Sequence, residues 1–150
     1  MISSIIRKDA VKTSNYILVV EDSPIDVEIL SRAFRKADFS PSVHHCSDGD
    51  SAVEFLESLC SEDALSSKFP SMVLLDLNLP GTDGREVLTI IKNSDCLRKI
   101  PVVILSSSNN ESDVSYCFSV GADKYLRKPI SAEEFADTVG QIKQFWQERV

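Results

Sequence analysis

The chain has 150 residues, 43% hydrophobic and 26% charged, with a formal net charge of −7. That length fits one domain with a single core, and the acidic balance argues against nucleic-acid binding by bulk electrostatics. No apolar run approaches the ~20 residues of a spanning helix, and the N-terminal MISSIIRKDAVKTSNY lacks the apolar stretch of a secretion signal, so a cytoplasmic protein without membrane attachment is expected.

Residues 1–14 read as a loosely docked extension, with one folded domain over 15–150. YILVV (16–20) reads as a first strand running into Glu21 and Asp22. Ser23-Pro24 is an N-cap followed by proline at the first helical position, opening a helix over 24–37 with Ile25, Ile29, Leu30, Ala33 and Phe34 on one face. SVHHC (42–46) is a second strand, in which His44 and His45 read as strand residues rather than metal ligands, and a helix follows over 48–59. CSEDALSSKFP (60–70) is a longer polar connection than such loops usually are. The third strand, SMVLLDL (71–77), places an acid, Asp76, at the end of the greasiest segment, ahead of Pro80, Gly81 and a helix over 84–93. IPVVILS (100–106) is the fourth strand, ending at Ser106. A helix over 111–120 follows and stops at Gly121. DKYLRK (123–128) is the fifth strand, running into Lys128-Pro129. Ser131 with Glu134 forms a capping box for a helix over 132–147, with Phe135, Val139, Ile142 and Trp146 in line.

The strand runs are continuous rather than alternating, as in strands buried on both faces. Five β-α repeats with right-handed crossovers make a doubly wound, five-stranded parallel α/β sheet. Cys46, Cys60, Cys96 and Cys117 lie far apart and form no C-x-x-C pair, so reduced thiols are expected.

In such a sheet ligands sit beyond the carboxyl ends of the strands. Glu21, Asp22, Asp76, Ser106 and Lys128 are all expected there. Three carboxylates beside one ammonium cannot all stay ionised unaided. A divalent cation balances them, and an all-oxygen donor set favours Mg²⁺. Aspartate is a competent nucleophile toward phosphorus; a cation, the Lys128 ammonium and the Ser106 hydroxyl could each hold one phosphoryl oxygen.

The set VVEDSPID, LLDLNLPGTDG, VVILSSS and ADKYLRKP, in this order, resembles the receiver domain of two-component response regulators over residues 15–148. The resemblance implies a flavodoxin-like strand order 2-1-3-4-5. It implies Asp76 as phosphoacceptor, Glu21 and Asp22 as the acidic pair at the metal, and Asn78 as a metal ligand through its backbone carbonyl. It implies Ser106 as switch hydroxyl, Tyr125 as switch aromatic, Lys128 as phosphate-binding lysine, and a cis bond to Pro129. Within the family the chain looks most like the small stand-alone regulators of cyanobacterial phytochrome histidine kinases, so a histidine kinase is the expected partner. Catalysis is then limited to its own phosphorylation and dephosphorylation. No segment reads as an output module, so signalling by binding an unknown downstream protein, or by phosphorelay, is expected. The face of the fourth helix, fifth strand and fifth helix is the expected output and homodimer surface, with Phe145, off the buried line, as a contact.

Other classes share the architecture. A flavodoxin-type binder needs a phosphate loop after the first strand, where EDSPID would repel phosphate. An aspartyl phosphatase needs an acid two residues after its nucleophile, where this chain has Asn78.

Overall fold

The computed structural model describes residues 16–61 and 69–149. The elements, in chain order, are β1 (Tyr16–Val20), α1 (Pro24–Lys36), β2 (Ser42–Cys46), α2 (Gly49–Ser61), β3 (Met72–Leu75), α3 (Gly84–Asn93), β4 (Val102–Ser106), α4 (Glu111–Val120), β5 (Lys124–Arg127) and α5 (Ala132–Arg149). All strand pairs are parallel, and the order is β2-β1-β3-β4-β5, as the motif set implies. The readings for residues 1–14 and for most of the 60–70 connection lie outside the described residues.

The pleat sorts the strand residues into two cores, because successive side chains leave opposite faces. Leu18, Val20, Val73, Leu75, Val102 and Ile104 meet residues of α2, α3 and α4 on one side. Ile17, Val19, Met72, Leu74, Val103 and Leu105 meet residues of α1 and α5 on the other. Each of these Leu and Ile side chains contributes roughly 1.5–3 kcal/mol by leaving water. The central strands are therefore apolar on both faces, which is why their sequences do not alternate.

The helix ends follow their sequence signals. Ser23 Oγ accepts from Asp26 N at 3.2 Å, and Ser131 Oγ accepts from Glu134 N at 3.1 Å. The Glu134 carboxylate reaches one residue further back than a capping box requires, to Ile130 N at 3.0 Å. Gly121 ends α4 at φ 126°, a backbone state only glycine enters freely.

The structure corrects four expectations. Cys60 and Cys96 are not free thiols but form a disulfide with Cα atoms 6.0 Å apart; Cys46 and Cys117 are free and buried. A sequence separation of 36 residues hides the contact, which arises because the end of α2 and the loop after α3 meet at the same end of the sheet. Ile25 and Ile29 do not share the buried face of α1. They form a separate i, i+4 row, turned by about 100° from Leu30 and Phe34, and remain 71% and 38% exposed. Phe145 is buried, and it packs with Val139 and Ile142 under the Arg149 guanidinium, 3.6 Å from the ring centroid. The buried row of α5 advances by three residues per step at its end, so Phe145, rather than Trp146, continues it, and Phe145 offers no free surface for a homodimer. Trp146 is only partly buried, edge-on to Phe39, with its indole N–H donating to Ser71 Oγ at 2.7 Å. Finally, no cis peptide bond occurs among the described residues, so Lys128–Pro129 is trans. The trans form is the intrinsic preference of an X–Pro bond, and Lys128 reaches its acidic partners from it.

Candidate functional site

The sheet ladders run one residue past the strands and set the site. Asp76 N donates to Val20 O at 3.1 Å, Glu21 N to Cys46 O at 3.0 Å, and Lys128 N to Ser106 O at 2.8 Å. Backbone pairing thus fixes Glu21, Asp76, Ser106 and Lys128 at the carboxyl edge, side by side, before any side chain chooses a rotamer. The loop after Asp76 is equally constrained. Gly84 N donates to Leu77 O at 2.9 Å, and a Cβ on Gly84 would overlap the Asp76 carbonyl oxygen. Only glycine lets α3 start this close to the acid.

The Lys128 ammonium lies 2.7 Å from Glu21, 3.1 Å from Asp76 and 3.3 Å from Asp26. Glu21 and Asp76 are buried, at 7% and 5% exposure, while Asp22 is exposed at the rim. One carboxylate oxygen from each of Glu21, Asp22 and Asp76 can be chosen so that all lie within 4.8 Å of one another. Burial raises the Glu21 pKa above the ordinary carboxylate value; the Asp76 charge adds to that rise, and Lys128 opposes it. Burial alone would lower the Lys128 pKa, but hydrogen bonds to Glu21 and Asp76 outweigh it and hold the ammonium well above the ordinary lysine value. Three carboxylates thus share one ammonium, and a fourth, Asp22, stands beside them. The imbalance and the all-oxygen donor set fit a hard divalent cation.

Ser106 is fully buried, and its Oγ accepts from Ser108 N at 3.1 Å. The Tyr125 ring is half-buried, and its hydroxyl donates to Ser108 O at 2.7 Å, on the side of Ser106. Asn78 is exposed, and its N–H donates to Asp76 Oδ1 at 3.2 Å. Glu21, Asp22, Asp76, Asn78, Ser106, Tyr125 and Lys128 are therefore all at this edge. His44 and His45 are strand residues, as expected, with His44 stacked on Phe55 and His45 Nε2 2.6 Å from Glu21 O. Sequence reasoning missed Asp26. Its position at the third residue of α1, directly behind the acidic pair, was the available signal.

The family model for the response regulator receiver domain matches residues 17–140. The chain belongs to the response regulator receiver domain family. It is 37% identical to the response regulator Rcp1 of Synechocystis over 134 residues, 89% of this chain and 90% of that one. It is 39% identical over 130 residues to a probable methanogenesis regulatory protein, FilR2, of Methanothrix harundinacea, covering 87% of this chain and 82% of the relative. Among solved structures, the Mn²⁺-bound form of Rcp1 is similar with a TM-score of 0.78 at 36% identity, covering 91% of this chain and 96% of that one. The phosphorylated cyanobacterial phytochrome response regulator RcpA is similar with a TM-score of 0.79 at 32% identity, covering 92% and 97%. Among the described residues, no helix is long and apolar enough to cross a membrane.

Proposed function

We propose that this chain is a single-domain response regulator, cytoplasmic, that accepts a phosphoryl group on Asp76 from the phosphohistidine of a histidine kinase. The observation that carries the proposal is the gathering of Glu21, Asp22 and Asp76 carboxylates within 4.8 Å, with the Lys128 ammonium 3.1 Å from Asp76. An Asp76 carboxylate oxygen attacks phosphorus, the P–N bond breaks, and the imidazole leaves with its electron pair and takes up a proton. Lys128 neutralises the oxygens of the transferred group, and the Ser106 hydroxyl donates to one of them. Glu21, Asp22, Asp76 and the Asn78 carbonyl would hold Mg²⁺, which would offset the negative charge of the acids and of the phosphoryl group. That the similar Rcp1 has a Mn²⁺-bound form supports a divalent cation as the ligand.

Phosphorylation adds charge of about −1.5 to −2 and three acceptor oxygens beside Ser106. Ser106 shifts toward them, Tyr125 follows, and the face of α4, β5 and α5 changes its affinity for a downstream protein or a second copy. The phytochrome-linked relative RcpA makes a phytochrome-type kinase the first candidate for the donor.

The test is incubation with acetyl phosphate and Mg²⁺ followed by intact mass measurement. The wild type gains one phosphoryl group and Asp76→Asn gains none. An equal gain in both proteins, or no gain in either, overturns the proposal.

A further inference from the structure

A cluster of charges that the phosphoryl chemistry does not use lies beside the site, between α3 and α4. Arg85 Nε donates to Asp113 Oδ1 at 2.9 Å, and Arg85 Nη1 contacts both oxygens of Asp83 at 3.0 and 3.1 Å. Asp113 Oδ2 accepts from Ser108 Oγ at 2.8 Å. Ser108 is the residue whose N–H holds Ser106 Oγ and whose carbonyl holds the Tyr125 hydroxyl.

The position of Arg85 is locally unfavourable. It is the second residue of α3, where the helix macrodipole presents its positive end. A cation there needs anionic partners. Asp83, the N-cap, supplies one, and Asp113 in the first turn of α4 supplies the other. A local rule broken and compensated from another element marks a residue whose task is to join elements. The geometry is also selective. A planar guanidinium can bridge two carboxylates in fixed directions, as a lysine ammonium cannot.

The two elements joined are the ones that matter. Asp83 and Gly84 close the loop that carries Asp76, with Gly84 flush against the Asp76 carbonyl. Ser108 and Asp113 belong to the loop and helix that follow Ser106. We propose that Arg85 is a positioning residue for phosphoryl capture: through Asp113 and Ser108 it ties the loop of Ser106 to the loop of Asp76 and so sets the distance between hydroxyl and acceptor. This rests on Asp76 being the phosphoacceptor. The Arg85 side chain is 30% exposed and that of Asp113 19%, so the tie is accessible to mutation without opening the core.

The experiment follows uptake of phosphate from acetyl phosphate at saturating donor and Mg²⁺, by intact mass, for wild type, Arg85→Met, Arg85→Lys, Asp113→Asn and the Arg85→Met/Asp113→Asn double variant. Mg²⁺ affinity is measured in parallel by calorimetry. Loss of a partly buried ion pair predicts about a fivefold slower uptake in Arg85→Met and in Asp113→Asn. The double variant is no slower than the slower single one, because both changes cut the same tie. Arg85→Lys recovers part of the rate, and Mg²⁺ affinity stays at the wild-type value in all. Wild-type rates in both single variants, additive losses in the double variant, or an Mg²⁺ affinity that falls in step with the rate would each overturn the role of Arg85 while leaving Asp76 as the acceptor. Should a variant melt early, Ser108→Ala cuts the same tie from its other end and is held to the same outcomes. A wild type that takes up no phosphoryl group overturns the underlying reading together with the tie.

Discussion

At the amino end of the sheet the described polar groups are paired and cross-linked; at the carboxyl end three carboxylates contact one ammonium, with Asp22 beside them. At the first end the Cys60–Cys96 disulfide joins α2 to the loop before β4, and Trp146 reaches Ser71, which in turn holds the Tyr16 carbonyl at 3.0 Å. The Lys92 ammonium there donates to the Arg98 and Ile100 carbonyls and to Asp123, and Asp123 also accepts from Val102 N at 2.8 Å. At the other end Lys128 serves Glu21, Asp26 and Asp76 together. The difference shows where stability is concentrated. An end that is tied together lets the opposite end keep an electrostatic arrangement that, under the proposed function, a cation and a phosphoryl group would complete.

The sharpest way to break the comparison is Lys128→Met. It leaves Glu21 and Asp76 buried with no cation, and a broken buried pair costs roughly 3–5 kcal/mol. Metal-free denaturant unfolding should show that loss, and millimolar Mg²⁺ should return part of it by mass action. A variant as stable as wild type without metal would mean that the carboxylates are not in conflict. The opposite end is probed by Cys96→Ser. Opening a 36-residue loop predicts a loss of up to about 4 kcal/mol in denaturant unfolding. Uptake of phosphate should be unchanged, since the cross-link is remote from Asp76; a parallel fall would couple the two ends.

The smallest expected effect sharpens the picture through pH. The Arg85 hydrogen bond, with help from Ser108, holds the Asp113 pKa below its ordinary 3.8. A depressed carboxylate contributes stability above its unfolded pKa and loses it as pH falls through the folded value. Asp113→Asn should therefore cost about 0.5–1 kcal/mol at neutral pH, a cost that shrinks below about pH 4. A difference from wild type that is constant across this range would assign the loss to packing instead.

Much of this was legible because strands announce their ends. An apolar run stopping at Glu21, Asp76, Ser106 or Lys128 places that residue at the carboxyl edge once the sheet is parallel, and the ladders then fix the neighbours. Side-chain direction on helices was less legible. Ile25 lies on a row next to that of Leu30, and Phe145 lies next to Trp146; a shift of one residue, about 100°, exchanges core for solvent. Contacts between loops were not legible at all. Nothing in the spacing of Cys60 and Cys96, or of Arg85 and Asp113, reports that folding brings them together. The Lys128–Pro129 bond shows the limit of resemblance, since a motif can be present without the isomer expected of it.

The account rests on a pocket of acids that is incomplete without a divalent cation. Calorimetric titration with Mg²⁺ tests it most directly, using wild type, Asp22→Asn and Asp76→Asn. One site per chain in the wild type, weakened at least tenfold in both variants, is the predicted result, since each variant would remove one of the proposed charged oxygen ligands. Binding of equal strength in all three, or none in the wild type at millimolar metal, would contradict it.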